Sequence, residues 1–245
     1  MSITPETRVA DVAARNPATI RVFQRYGIDF CCGGKRPLAE ACAEGHLTFG
    51  ELTRELEAVE TPAAESEVPA TAPLVELVRR IVDGYHADLR EELPRLSQMA
   101  ARVVEAHGER HPEVVPLAGA LGALREELES HMMKEERVLF PYIVRLEGLA
   151  ATGERLAASP FGSIEAPIGM MEHEHDTAAR LLARMRELTD GYTAPADACN
   201  TFRGLYFGLA QLEKALHEHI HLENNVLFPR AARLEKGLCG TLAGV

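Results

Sequence analysis

Apolar residues recur at helical spacing through most of the chain after residue 73. Leu74, Leu77, Ile81, Tyr85 and Leu89 follow one another at intervals of three or four, which places them on one face of a helix. No segment shows the strict alternation of apolar and polar residues that a half-buried strand would give. The pattern therefore predicts an all-α protein.

Connections rich in glycine and proline divide this region into four long helices. The first is predicted from residue 74, and the others at about 112–146, 164–189 and 195–234. Pro94 falls inside the first helix and should kink it or end its first half. The separating segments HGERHP, GLAATGERLAASPFG and DGYTAP are modest in length. Four long helices with such loops favour an antiparallel four-helix bundle.

A change in composition marks a linker before the bundle. Residues 60–73, ETPAAESEVPATAP, contain three prolines and three glutamates without apolar periodicity. The residues before them form short helical patterns interrupted by the turn-rich GIDFCCGGKRPL, and Thr48 with Glu51 forms a capping-box sequence. We therefore predict a small helical domain over 1–59, the linker over 60–73, the bundle over 74–235 and a C-terminal tail over 236–245.

Charge and composition narrow the class of protein. A net charge of −11 and a pI near 5.4 argue against nucleic acid or an anionic membrane as a partner. The chain has no run of 18 apolar residues, and its N-terminus does not resemble a secretory signal. Five cysteines, two of them adjacent, do not suggest a disulfide framework. These features predict a cytoplasmic protein.

One stretch of the chain occurs twice. Residues 131–141 read HMMKEERVLFP and residues 219–229 read HIHLENNVLFP, an offset of 219 − 131 = 88 residues. Both copies carry a histidine, a glutamate four positions later and the run Val-Leu-Phe-Pro. Residues four apart share one helix face, so the imidazole and the carboxylate project together. A buried carboxylate beside a buried imidazole needs compensation, and a metal ion supplies it.

Two further histidines complete the pattern. His86, His131, His175 and His219 are separated by 45, 44 and 44 residues, which places one imidazole on each predicted helix at a similar height. His217 and His221 form a rival pair, but they lie two residues from His219 and are rotated by about 200° from it. Only His219 and its glutamate superpose on the first copy, so the repeat favours that register.

Four imidazoles and two carboxylates form a set of ligands typical of transition metals. The set is too rich in nitrogen for calcium or magnesium. Two ions, each with two histidines and both bridged by the two carboxylates, would use all six side chains and leave coordination positions open. Iron is the best candidate, with manganese and zinc as alternatives.

The motifs resemble those of a known family. Residues 74–234 resemble the hemerythrin-like HHE cation-binding domain, and the whole chain is similar to the repair-of-iron-centres di-iron proteins through DFCCGG (29–34), YHADLR (85–90), EHEHD (172–176) and the repeated stretch. The resemblance implies a non-haem centre of two iron ions with oxo and carboxylate bridges. It implies as ligands His86, His131, Glu135, His175, His219 and Glu223. Oxygen-carrying hemerythrins use five histidines, so simple oxygen carriage is not favoured.

The resemblance also implies a function. Members of this family restore iron–sulfur clusters damaged by nitrosative or oxidative stress, and nitric oxide reduction or iron donation at the di-iron centre would be the underlying chemistry. Nitric oxide or oxygen would be the small ligand, and iron–sulfur proteins or a cluster scaffold the protein partners. The alternative is a sensor of oxygen or nitric oxide, or an iron store, without turnover. The sequence leaves open whether the protein forms a homodimer.

Cys31 and Cys32 are candidates for a redox pair. A thiolate ahead of a helix N-terminus, with Lys35 and Arg36 nearby, should have a lowered pKa. Such a thiol could pass electrons to the metal centre, bind a metal or form mixed disulfides. The other cysteines, Cys42, Cys199 and Cys239, are interpreted as structural or incidental.

Two glutamates are candidates for outer hydrogen-bond partners of the metal ligands. Glu127 lies one turn before His131, and Glu174 immediately precedes His175. Either could orient an imidazole or relay a proton, although a solvated carboxylate is an equally good interpretation in an acidic protein. His107 and His111 lie in a loop-like context and are predicted to be solvated.

Overall fold

The structure is a computed structural model that describes residues 3–44, 46–59 and 71–239. These residues form helices joined by turns, and the only strand-like pairing among them is an isolated bridge between Arg8 and Pro37. The all-α prediction is therefore confirmed. Most of the predicted linker and most of the predicted tail lie outside the described residues. None of the described helices has both the length and the apolar content needed to cross a bilayer.

Eleven α-helices are assigned in the described residues. Four short ones occupy the N-terminal part: α1 (Val9–Arg15), α2 (Ile20–Arg25), α3 (Leu38–Glu44) and α4 (Phe49–Glu57). The later ones are α5 (Leu74–Arg80), α6 (Ala87–His107), α7 (Val114–Lys134), α8 (Phe140–Thr152), α9 (Glu165–Leu188), α10 (Asn200–Leu222) and α11 (Phe228–Cys239). The predicted capping box is present, because the Thr48 hydroxyl accepts from the Glu51 amide at 3.3 Å and the Thr48 amide donates to the Glu51 carboxylate at 2.8 Å.

The predicted helix bounds differ from the observed ones in four places. The second and fourth long helices continue past their predicted ends at 146 and 234, to Thr152 and Cys239. The fourth long helix begins at Asn200 instead of 195, because residues 195–199 form turns. The first does not end at Pro94, which lies inside α6. Leu93 and Leu96 on either side of this proline are fully buried, so packing holds the helix through a residue that removes one backbone hydrogen bond.

The chain forms two compact units. The N-terminal unit comprises the described parts of residues 1–78, 143–166 and 217–245, and the bundle unit comprises residues 79–142 and 167–216.

The bundle unit is built from four helical segments around one apolar core. Each segment contributes leucines or aromatics at helical spacing, so the amphipathic pattern of the sequence is realised as burial. The core includes Leu89, Leu93, Leu96, Leu117, Leu121, Leu124, Leu182, Met185, Phe202, Leu205 and Leu209. Leu128, Leu89 and Ala178 form one boundary of this core, and each lies three residues from a candidate metal ligand. The histidines of this unit therefore lie one helical turn beyond the packed leucines.

The N-terminal unit has a second apolar core. Phe23, Phe30, Leu38 and Leu52 pack in it, and Ile220 of α10 belongs to the same cluster. The four short helices are thus packed against the helix that carries the second copy of the repeat.

Carboxylates from distant parts of the chain accept hydrogen bonds from backbone amides at the starts of two helices. Glu147 accepts hydrogen bonds from the backbone amides of Leu74 at 2.6 Å and Val75 at 2.9 Å, at the start of α5. Glu235 accepts from the amide of Ile164 at 2.8 Å, just before α9. The first amides of a helix have no partner within the helix, and the helix dipole favours negative charge there.

Candidate metal centre

Three π-helical turns lie in the helical segments that carry five of the six candidate ligands, whereas the helix of His175 has none. One spans Ile81–His86, and the other two span Glu135–Leu139 and Glu223–Leu227. Each therefore begins or ends at a predicted ligand, and the latter two start at the repeated glutamate. A π turn inserts one extra residue into the helix and is frequently found at functional sites. The two copies of the repeat thus share an unusual backbone conformation as well as their residues.

The bundle unit brings four predicted ligands together. Nε2 of His86 lies 3.4 Å from Oε2 of Glu135, and Nε2 of His131 lies 3.2 Å from the same oxygen. Nε2 of His175 lies 3.0 Å from Nε2 of His131. One ligand atom from each of His131, Glu135 and His175 lies within 4.8 Å of the other two. All four side chains are buried, with at most 2% of any of them exposed.

The N-terminal unit holds the second copy of the pair. Nε2 of His219 lies 2.9 Å from Oε1 of Glu223, and both side chains are buried. The first copy, His131 with Glu135, shows the same contact at 3.2 Å. In each unit a buried imidazole therefore faces a buried carboxylate four residues further along the helix.

Glu174 fixes the orientation of His131. Its Oε2 lies 2.9 Å from Nδ1 of His131, and Lys134 also donates to its carboxylate. These hydrogen bonds, that of His131 first, lower the pKa of Glu174 to about 2 against the effect of its burial. An ionised Glu174 accepts a hydrogen bond from Nδ1–H of His131. The other ring nitrogen, Nε2, then carries the lone pair that a metal ion needs.

Glu136 does the same for His86 and was not found from the sequence. Its Oε1 lies 2.7 Å from Nδ1 of His86 and also accepts from Arg90 at 2.7 Å. Burial opposes its ionisation, but the hydrogen bonds from His86 and Arg90 outweigh burial and lower its pKa. Glu127, the other candidate, makes no hydrogen bond or ion pair with an imidazole in the described part of the chain. Nothing in the sequence around Glu136 indicates this role, because His86 is 50 residues away.

The donor set fits a borderline or transition-metal ion. It offers imidazole nitrogens in the tautomer that binds metal, with buried carboxylate oxygens beside them. Hydrogen-bonded carboxylates behind the imidazoles are the usual companions of metal-binding histidines. The cluster in the bundle unit is therefore one that could hold a metal ion.

Cys31 lies in a buried loop that Asp29 organises. Oδ1 of Asp29 accepts from the amide of Cys31 at 3.0 Å and from its thiol at 3.3 Å, and Oδ2 accepts from the amide of Gly33 at 2.9 Å. At Gly34 the chain approaches itself so closely that a Cβ would lie 2.4 Å from the carbonyl oxygen of Phe30. Glycine is therefore required there.

The predicted lowering of the pKa is wrong for Cys31. A hydrogen bond with Cys32, followed by burial and the charge of Asp29, raises its pKa well above the usual value. The expected helix N-terminus is not at the thiol, because α3 begins only at Leu38, and the guanidinium of Arg36 donates to the carbonyl of Gly33 at 3.0 Å. Cys31 is thus held as a thiol. No disulfide is formed by any cysteine in the described residues.

The helix that carries the second copy of the repeat also holds this loop. Nδ1 of His221 lies 3.1 Å from the carbonyl oxygen of Phe30, and the Asn225 amide donates to the carbonyl of Cys31 at 3.1 Å. The ring of His217 meets that of Phe30 edge-on at 6.1 Å. His217 and His221, the rival pair, therefore contact the N-terminal loop. Burial lowers the pKa of His221 to about 4, so it is neutral there.

Comparison with known proteins agrees with this site. Residues 77–231 match the hemerythrin HHE cation binding domain, and residues 5–60 match a domain of unknown function, DUF542. The chain belongs to the hemerythrin HHE family. It is 40% identical over 227 residues, 93% of its length and 97% of the relative's, to a Pectobacterium atrosepticum protein named iron-sulfur cluster repair protein YtfE. A Yersinia pseudotuberculosis protein of the same name is 42% identical over 219 residues, 89% of this chain and 93% of the relative.

Proposed function

We propose that this chain is a di-iron protein that takes part in the repair of iron–sulfur clusters damaged by nitrosative or oxidative stress. The observation that carries the proposal is the duplicated His-x-x-x-Glu, buried in both copies and followed in both by a π turn. The relatives named as iron–sulfur cluster repair proteins align over nearly the whole chain, which supports the same role here.

The proposed ligands follow from the repeat. Each half would contribute two histidines and one carboxylate, with Glu135 and Glu223 in equivalent positions and His86 and His175 as the partners supplied by the other helices. The contacts within the bundle unit support the first half of this set, and the contact between His219 and Glu223 supports the second. When bound, two iron ions would supply redox capacity and coordination positions for nitric oxide or oxygen.

The protein's own groups have definable roles in this proposal. Glu174 accepts a hydrogen bond from Nδ1–H of His131, and Glu136 accepts one from Nδ1–H of His86. These bonds keep both rings oriented and in one tautomer. The candidate ligands are at most 2% exposed, so bulk water is excluded from them. Such burial favours a centre that retains its iron during turnover over one that gives its iron away, because release would require the helices to open.

A repair assay tests the proposal. A purified [4Fe–4S] hydratase is inactivated with nitric oxide under anaerobic conditions and then incubated with the iron-loaded protein, its His219→Ala variant or its His217→Ala variant. Wild type and His217→Ala should restore hydratase activity and keep their iron, whereas His219→Ala should restore little. Failure of the iron-loaded wild type to restore more activity than free ferrous iron would refute the repair function. Recovery accompanied by equal loss of iron from the protein would show that the iron is donated.

A further inference from the structure

A second group of reactive side chains lies at the far end of the bundle unit's core. It is formed where α6 ends and where α10 begins, and it contains His107, His111, Asp197 and Cys199. The metal centre proposed above uses none of them. Contrary to the sequence interpretation, His107 is buried, with 8% of it exposed, and Cys199 is in contact with an imidazole.

The imidazole of His107 is directed at the thiol of Cys199. Its Nε2 lies 3.2 Å from Sγ, within hydrogen-bonding distance for sulfur, while Cys199 itself is exposed to solvent. The ring packs against Phe202 with the centroids 5.3 Å apart, which fixes its position. Its Nδ1 is buried and has no hydrogen-bond partner within the described residues, so the thiol is the polar contact of this ring. An accessible sulfur beside a buried, oriented base is the arrangement that activates cysteine nucleophiles.

The helix ends favour charge separation between these two residues. Cys199 immediately precedes α10, and its carbonyl accepts the first helical hydrogen bond, from the amide of Arg203 at 3.0 Å. A helix N-terminus favours a negative charge, here a thiolate. His107 lies in the last turn of α6, and a helix C-terminus favours a positive charge, here an imidazolium. Both dipoles therefore assist proton transfer from Sγ to Nε2.

The neighbouring charges are largely compensated by one another. Asp197 lies 3.0 Å from Nε2 of His111 and 3.6 Å from the guanidinium of Arg110, and Glu113 lies 3.2 Å from Nδ1 of His111. The Arg203 guanidinium donates to the carbonyl of Ala198 at 3.1 Å, which brings a cation to the segment before the thiol. His111 is thus occupied by carboxylates and is not available as the base for Cys199.

The same residues do not form a metal site. Two groups of histidine, cysteine and carboxylate side chains in the described part of the chain have ligand atoms within 4.8 Å of one another, and neither includes His107 or Cys199. The contacts instead form two separate pairs, one between an imidazole and a thiol and one between an imidazole and a carboxylate.

We propose that Cys199 is a site of reversible mixed-disulfide formation with low-molecular-mass disulfides, and that His107 serves as its base. The Sγ proton passes to Nε2 of His107, and the thiolate attacks one sulfur of the disulfide. A new S–S bond forms at Cys199 while the disulfide's own S–S bond breaks, and the departing thiolate takes the proton from His107. Cys199 is oxidised, the departing thiol is the reduced product, and a second thiol reverses the exchange.

The test compares two exposed cysteines in the same chain. Full-length protein is mixed with glutathione disulfide at neutral pH, and modification of Cys199 and of Cys239, which is also exposed, is followed by peptide mass spectrometry. Cys199 should react at least tenfold faster than Cys239 in the wild type. His107→Gln should remove most of this advantage. His111→Gln is the matched control, because the ring of His111 lies 6.2 Å from that of His107, and this variant should change the rate ratio less than twofold.

These outcomes distinguish activation of the Cys199 thiol by His107 from simple exposure of the cysteine to solvent. Equal rates for the two cysteines in the wild type would overturn the proposal without recourse to any variant. So would an unchanged rate at Cys199 in a folded His107→Gln protein. Because the assay does not depend on bound iron, its failure would leave the repair function untouched.

Discussion

Asn225 holds the loop that carries the cysteine pair, and its removal should loosen that loop selectively. Its side-chain amide donates to the carbonyls of Cys31 at 3.1 Å and Phe30 at 3.4 Å. In Asn225→Ala the carbonyl of Phe30 keeps its contact with His221 at 3.1 Å, whereas the carbonyl of Cys31 loses the bond from this amide. A buried polar group that loses its partner costs about 1–3 kcal/mol. Local opening of the loop should therefore become about 5- to 160-fold more frequent.

Alkylation of buried thiols measures this opening. Cys31 is 4% exposed and Cys42, in the same apolar core, is 5% exposed, so both react only when the structure opens. Under native conditions a neutral alkylating reagent should modify Cys31 of Asn225→Ala at least fivefold faster than Cys31 of the wild type. Tandem mass spectrometry distinguishes Cys31 from Cys32.

Cys42 is the internal control for global unfolding. Its rate in Asn225→Ala should stay within twofold of wild type, because α3 does not depend on Asn225. Equal acceleration of Cys31 and Cys42 would mean that the substitution destabilises the whole core. An unchanged rate at Cys31 would mean that the Asn225 amide does not hold the loop.

The remaining predictions concern the metal centre. His219→Ala should bind much less iron than wild type while His217→Ala binds a normal amount, and iron analysis of the purified proteins that shows the reverse would refute the chosen register. Glu174→Gln should weaken metal affinity about 10- to 100-fold, because it removes the anionic acceptor behind His131, and a chelator competition assay measures the change. The iron-free protein should melt at a lower temperature than the iron-loaded protein at neutral pH, since Glu135 and Glu223 are buried carboxylates that bound cations would neutralise, and equal melting temperatures would place the metal at the periphery.

Periodicity and repetition were sufficient to predict most of the fold. The helical spacing of Leu117, Leu121 and Leu124 is reproduced as full burial, because a long helix must bury its apolar face. The repeat selected His219 over His217 and His221, and the latter two lie against the N-terminal loop. Two residues of rotation on a helix separate the imidazole that faces Glu223 from the two that contact the loop, and that rotation can be read from the sequence.

The features that escaped prediction depend on tertiary contacts. A π turn leaves the His-x-x-x-Glu spacing unchanged, so nothing in the sequence distinguishes it from an α-helical turn at Glu135 or Glu223. The role of Glu136 depends on His86, which is 50 residues away in the sequence. The predicted direction of the Cys31 pKa shift is wrong because the sequence shows the nearby lysine and arginine but neither the hydrogen bond with Cys32 nor the burial of the thiol. The prediction that His107 is solvated is wrong because its thiol partner is 92 residues away in the sequence.

Two iron ions held by six side chains of one chain form the proposed centre, and counting these ions is the most direct test of it. Protein purified from iron-replete cells should contain two irons per chain by metal analysis. In Glu135→Ala and Glu223→Ala, each of which loses one proposed bridging carboxylate, iron content should fall below one per chain. A fully folded wild type with one iron per chain, or a Glu223→Ala variant that retains two, would contradict the proposed centre.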